Sequence, residues 1–190
     1  MKKLRLNLFF SVLILALTAT ACDETYSPKP KGYFRIATPA KEYQETDIPC
    51  PYRFEYNKNS KILEKKNCWY DLKYPSLRAT VQLTYKEVSE NNLDTLLAEG
   101  HNLAYEHTVR ADGIDEKLYL NPDDSVYGIL FQLKGNAATS MQFFVTDSTN
   151  HFLRGVLYYY ATPNADSLKP VNEFMLGEMQ HLMESLRWQN

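Results

Sequence analysis

An apolar run from Leu6 to Leu17, opened by Met1-Lys2-Lys3-Leu4-Arg5 and closed by Ala19-Thr20-Ala21-Cys22, decides which part of this chain is available for folding. The run is too short to cross a hydrocarbon core of about 30 Å, which takes roughly 20 apolar residues. A basic start, a short apolar centre and small residues ahead of a cysteine describe a secretory signal peptide over residues 1–21. The junction resembles a lipobox, with Ala19 where the strictest form has Leu; an ordinary cleavage site that happens to precede a cysteine is the alternative. In a lipobox the Cys22 thiol receives a diacylglycerol, and the new N-terminus is acylated after cleavage. Acyl chains contribute about 0.8 kcal/mol per buried CH₂, so several together anchor a protein to a membrane.

Export leaves 169 of the 190 residues for folding. Residues 22–32 are polar and contain Pro28 and Pro30, so they read as an extended tether. Residues 33–190 suit a single globular domain with a sizeable core. Lys2, Lys3 and Arg5 leave with the signal peptide, so 18 basic residues face 23 acidic ones and the formal charge is −5. That balance, with no basic run, argues against nucleic acid as a partner. With Cys22 committed to lipid, Cys50 and Cys68 remain. In an oxidising compartment they read as a disulfide, worth roughly 3 kcal/mol for a loop of this length. A metal site is the alternative, for which two cysteines without a nearby histidine pair make a poor donor set.

The clearest strand is Arg78 to Lys86. Ala79, Val81, Leu83 and Tyr85 alternate with Arg78, Thr80, Gln82, Thr84 and Lys86, as in an antiparallel sheet with one buried and one wet face. Short strands are expected around Tyr33–Ile36, Tyr52–Tyr56 and Trp69–Tyr74. Leu93, Leu96, Leu97, Leu103, Ala104 and His107 recur at helical spacing, with N-cap candidates in Ser89–Asn92 and an end near Asp112-Gly113. Three strands follow, Val126–Lys134, Thr139–Thr146 and Phe152–Tyr160, joined at Gly135-Asn136-Ala137 and Asp147-Ser148-Thr149-Asn150. A last helix from about Asp166 carries Leu168, Val171, Met175, Met179, Leu182, Met183 and Leu186 on one stripe. The fold class is α+β, an antiparallel sheet packed by two main helices. The order is also similar to the PsbP-like α/β/α sandwich, whose C-terminal helix leads into a terminal aromatic, here Trp188; that likeness concerns fold alone.

Chemistry-bearing motifs are sparse. There is no Gly-rich phosphate loop, nucleophile elbow or zinc-protease helix, so no catalytic, cofactor-binding or metal-binding residue is assigned and no enzyme activity is expected. His101 and His107 lie six residues apart, roughly 240° round a helix, and do not share a face. His151 opens a strand and His181 lies beside an apolar stripe, so structural roles fit each. Glu106 adjoins His107, but adjacent helical residues do not face each other. In Tyr158-Tyr159-Tyr160, alternation sends the middle ring to the opposite face, which suits protein or glycan contacts as well as a plain structural role. Asp precedes a hydroxyl residue at Thr95, Ser125, Ser148 and Ser167, a pattern resembling the O-glycosylation acceptor of exported proteins in the Bacteroidota. The same pairs are turn and N-cap signals.

A set of short strings runs through the chain: Tyr26-Ser27-Pro28-Lys29-Pro30-Lys31-Gly32-Tyr33, Cys50-Pro51-Tyr52-Arg53-Phe54-Glu55-Tyr56, Cys68-Trp69, Leu83-Thr84-Tyr85-Lys86 and Ala104-Tyr105-Glu106-His107. It continues through Gly135-Asn136-Ala137-Ala138, Gln142-Phe143, Thr146-Asp147-Ser148, His151-Phe152-Leu153, Leu157-Tyr158-Tyr159-Tyr160, Pro163-Asn164 and Asp166-Ser167. In order and spacing this set resembles the gliding-motility lipoprotein GldD family of the Bacteroidota. The resemblance implies a lipid-anchored cell-envelope protein facing the periplasm, needed for gliding and linked to the type IX secretion machinery. It implies partners among the other gliding and secretion envelope proteins, with the membrane reached through the N-terminal lipid. It carries no established catalytic residue and no cofactor. Two other readings stay open: an envelope enzyme with a site built from distant residues, such as His107 and Asp147, and a lipoprotein that binds a glycan or small ligand in a cleft.

Overall fold

A computed structural model describes residues 36–89, 91–106, 111–137, 139–160 and 164–189. The signal peptide, Cys22, the tether, residues 33–35 of the first expected strand, and His107 lie outside the described residues.

The chain opens with β1 (Tyr43–Glu45), β2 (Tyr52–Arg53), β3 (Glu55–Asn57), β4 (Lys61–Glu64) and β5 (Tyr70–Tyr74). A short 3-10 turn, Pro75–Leu77, leads into β6 (Ala79–Glu87), then α1 (Leu93–Glu106). Next come β7 (Ala111–Asn121), β8 (Val126–Gly135), β9 (Met141–Thr146), β10 (His151–Tyr159), α2 (Ala165–Ser185) and β11 (Arg187–Trp188). The main sheet has seven strands in the order β4-β5-β6-β10-β9-β8-β7, every pair antiparallel. That order makes β6 and β7 parallel, so α1 is the crossover that carries the chain over the sheet to its far edge. Two small antiparallel pairs, β1 with β3 and β11 with β2, complete the fold.

Alternation sorts the sheet residues between two layers. On one face Ala79, Val81 and Leu83 of β6, Met141, Phe143 and Val145 of β9, and Leu153 and Leu157 of β10 meet Val171, Phe174, Met175, Met179, Leu182 and Met183 of α2. Each such side chain stabilises by roughly 1.5–3 kcal/mol when buried, far more than helix propensity supplies, so this stripe is what holds α2. Asn164 caps α2, its Oδ1 accepting from the Ser167 amide at 3.1 Å. Gly155 of β10 lies under the Phe143 ring, where a Cβ would come within 2.2 Å of a ring carbon. The opposite face presents Phe131, Leu133, Phe144 and Phe152 to Leu96 and Ala104 of α1. Gly100 brings that helix close, a Cβ there falling 3.0 Å from Phe144.

The α+β class with two helices on an antiparallel sheet is thus observed. Three expectations need correction. The wet face of Arg78–Lys86 is wet only in part, because α1 covers the same face over β8–β10. α1 gives way to β7 at Ala111, so it does not extend to Asp112-Gly113. Those residues suggested a helix stop, but here they form an irregularity in β7, where the register shifts between Ala111 and Gly113. Finally, Tyr52–Tyr56 is two strands: it breaks at the fully buried Phe54, and β2 and β3 pair with different partners.

Candidate functional site

Cys50 and Cys68 are joined, with their Cα atoms 5.7 Å apart. The bridge ties down a turn in which Asn67 and Cys68 both take left-handed backbone, φ 59° and 58°. The Tyr52 hydroxyl donates to the Cys68 carbonyl at 2.7 Å, and the Trp69 amide donates to the Lys66 carbonyl at 3.2 Å. These ties place Trp69 at the surface, 40% exposed, and its Nε1 donates to the Tyr85 carbonyl at 2.8 Å. The indole is therefore anchored through its Nε1, on a backbone turn that the disulfide ties down.

Trp69 borders two adjoining spaces on the α1 face of the sheet. One, about 190 Å³, lies between α1 and the sheet and is walled by Thr84, Lys86, Glu99, Phe152 and Arg154. The other, about 420 Å³, opens over β5 and β6 beside Lys65, Lys66, Asp71, Gln82 and Thr84. Two ion pairs cross this region, Lys65 with Asp71 at 3.2 Å and Lys86 with Glu99 at 2.9 Å. Arg154 instead donates from Nη2 to the Gln142 Oε1 at 2.5 Å, and burial pulls its pKa below the ordinary arginine value.

The described histidines, His101, His151 and His181, do not converge. His151 is buried, and its Nδ1 meets the Tyr85 hydroxyl at 2.8 Å while its ring stacks on Trp188 at 5.0 Å. Its Nε2 is buried with no hydrogen-bond partner among the described residues. Asp147 is adjacent, yet its carboxylate turns to the backbone: Oδ1 accepts from the amides of Thr149, Asn150 and His151 at 2.8–2.9 Å. Burial opposes ionisation of that carboxyl, but the amide hydrogen bonds prevail and its pKa is lowered. Asp147 and the His151 ring therefore form no acid–base pair. His181 pairs with Glu55 at 2.8 Å and stacks on Tyr43. His101 lies 3.3 Å from Glu116 and stacks on Tyr105, linking α1 to β7. Among the described residues, no group of three or more His, Cys, Asp or Glu side chains could hold a metal ion.

One ionisable group went unforeseen. Glu178 sits on the apolar side of α2, 4% exposed, and accepts from Tyr43 at 2.9 Å and Tyr74 at 3.2 Å. Burial first, then the carboxylate itself, pushes both phenols well above their ordinary range. The signal in the sequence is a carboxylate three residues after Met175 and four before Leu182, inside the apolar stripe.

Of the four Asp-hydroxyl sites, two lie in the first turns of helices and two in turns between strands. Thr95 is exposed in the first turn of α1. Ser125 (φ 53°) and Ser148 (φ 69°) are exposed turn residues with left-handed backbone. Ser167 is half-buried, and its Oγ donates to the Asn164 carbonyl at 3.2 Å. In the tyrosine triplet, Tyr159 donates to Asn172 of α2 at 2.6 Å, and burial pushes its pKa up to about 12; Tyr160 is 57% exposed.

β7 forms one edge of the main sheet. On its α1 face Glu116 is engaged by His101 and Tyr105, but Leu118 and Leu120 beyond it are 64% and 62% exposed. They stand opposite Ile129 and Tyr127 of β8. No helix among the described residues is long and apolar enough to cross a membrane.

No curated protein matches the chain. Residues 23–188 match the family described as gliding motility lipoprotein GldD, and the chain belongs to that family of membrane-anchored envelope lipoproteins.

Proposed function

We propose that this protein acts in gliding motility without chemistry of its own, by holding envelope proteins of the gliding and type IX secretion machinery in place. The signal peptide 1–21 is removed, Cys22 carries the lipid, and the domain faces the periplasm. The observation that carries this reading is the outer edge of β7, 11 residues long and unpaired among the described residues, with Leu118 and Leu120 more than half exposed beside it. An edge strand offers unpaired N–H and C=O groups to an extended segment of another chain, and apolar side chains alternating along it give that segment pockets to fill. The occupant is therefore an extended stretch of a partner protein with apolar residues at alternate positions. Confinement to a membrane raises the effective concentration of such a partner, so a modest interface holds it.

The test is L118K combined with L120K in the anchored protein. Both side chains are exposed, so the variant is expected to fold, reach the membrane and lose gliding, and a photo-crosslinker at Leu118 should capture an envelope protein of the machinery. Normal gliding by the variant refutes the β7 interface. Loss of gliding in a folded, anchored His107→Ala or His151→Ala protein whose partner crosslinks persist refutes the non-catalytic reading.

A further inference from the structure

We propose that the cleft at Trp69 is a binding site for an acidic saccharide, a sugar bearing a carboxylate, and that it is separate from the β7 edge. The cleft lies on the other flank of α1, against Leu96, Glu99 and Leu103, whereas His101 and Tyr105 face β7. Its chemistry is mixed in the way a sugar requires. An immobilised indole with an exposed surface offers a flat apolar platform for the C–H face of a pyranose, and the hydroxyls around the ring rim need donors and acceptors beside it. Thr84 and Glu99 supply these within the same space.

The charge identifies the acid. In a mature chain with a formal charge of −5, the two cleft acids, Asp71 and Glu99, are each taken up by a lysine, Lys65 and Lys86. That leaves Lys66 and Arg154 as cations with no carboxylate within ion-pair distance among the described residues. Arg154 is anchored by Gln142, which is 1% exposed and spends its Oε1 on the guanidinium Nη2. A guanidinium with one edge anchored presents its other edge for bidentate pairing with a carboxylate, a geometry that an ammonium does not reproduce. The adjoining spaces of about 190 and 420 Å³ accommodate more than one sugar unit. The disulfide has a role here: it fixes the turn that carries both Lys66 and Trp69.

The test uses the full lipoprotein in detergent micelles with Trp188→Phe, so that Trp69 alone reports by fluorescence. Trigalacturonate should give a saturable change, and maltotriose of the same length should bind at least about tenfold more weakly, the difference one charge-assisted hydrogen bond supplies. Arg154→Gln should erase that preference while Lys58→Gln, an exposed lysine outside the cleft, retains it, and Trp69→Ala should abolish binding of both sugars when followed by calorimetry. Equal affinity for the two sugars, or no saturable response to trigalacturonate, overturns the proposal. Saturable binding of inorganic phosphate that displaces trigalacturonate without any contribution from Trp69 overturns it as well, because the site is then a simple anion site.

Discussion

Breaking the Cys50–Cys68 bridge should destabilise the domain by an amount the structure lets us work out. The two cysteines are 18 residues apart in sequence, and closing a loop of that size removes roughly 3 kcal/mol of denatured-state entropy. For a domain of this size that corresponds to a fall in Tm of about 6–12 °C. The loss is not purely entropic, because the bridge is packed. Cys50 is 8% exposed, and the Tyr70 hydroxyl donates to its sulfur at 3.4 Å. Cys50→Ala, Cys68→Ala and the double variant should therefore lose the same loop term, with the two variants lacking Cys50 losing more through packing. Urea unfolding of the natively exported protein, with and without a thiol reductant, measures this directly. An unchanged midpoint on reduction, or two thiols open to alkylation before reduction, would refute the reasoning.

Two further outcomes follow from hydrogen-bonded polar groups. Asp147→Ala removes three amide hydrogen bonds, at a cost of about 1–2 kcal/mol near neutral pH. Because its folded pKa is lowered, the stability Asp147 contributes is complete above about pH 4 and is lost as pH falls through that folded value, so the gap between wild type and variant in denaturant midpoint should close on acidification. A gap that widens there sinks the assignment. Tyr74→Phe should cost roughly 1.5–3 kcal/mol in the wild-type background and about half of that beside Glu178→Gln, since the acceptor is then neutral. Equal costs in the two backgrounds, read by urea unfolding, would show that Glu178 is not what Tyr74 serves.

The strands that could be read from the sequence and those that could not are separated by their place in the sheet. β6, β8, β9 and β10 are interior, and their apolar residues follow the alternation that a packed layer imposes. β4 and β7 were not anticipated, and they are the two edges. An edge strand buries less of each residue and carries charge that keeps it from pairing indiscriminately, as Asp115, Glu116 and Lys117 do in β7 and Lys61 and Glu64 do in β4. That charge hides the period-2 pattern. The disulfide was legible because compartment and cysteine count imply it, whereas the positions of Trp69 and Glu178 depend on partners brought together by the fold. Tyr43 and Glu178 are 135 residues apart, and no local pattern encodes such a meeting.

The placement of the two exposed strips follows from the width of a helix. Seven strands spaced at about 4.8 Å span roughly 29 Å, whereas a helix with its side chains is only about 10–12 Å across. One helix laid along a seven-stranded sheet therefore covers the width of two or three strands. On the α2 face this shortfall is made good by the N-terminal pieces: Tyr52, Phe54, Ile48 and Tyr56 pack into the same core, and Glu55 is bound to α2 through Ser185 and His181. Among the described residues the other face has α1 alone, lying over Phe144 and Phe152 near the middle of the sheet. A strip remains open on each side of it. Toward β7 the strip is apolar, with Leu118 and Leu120; toward β5 and β6 it is cationic and carries Trp69. The crossover that closes the topology thus divides one face of the sheet into two surfaces of unlike chemistry.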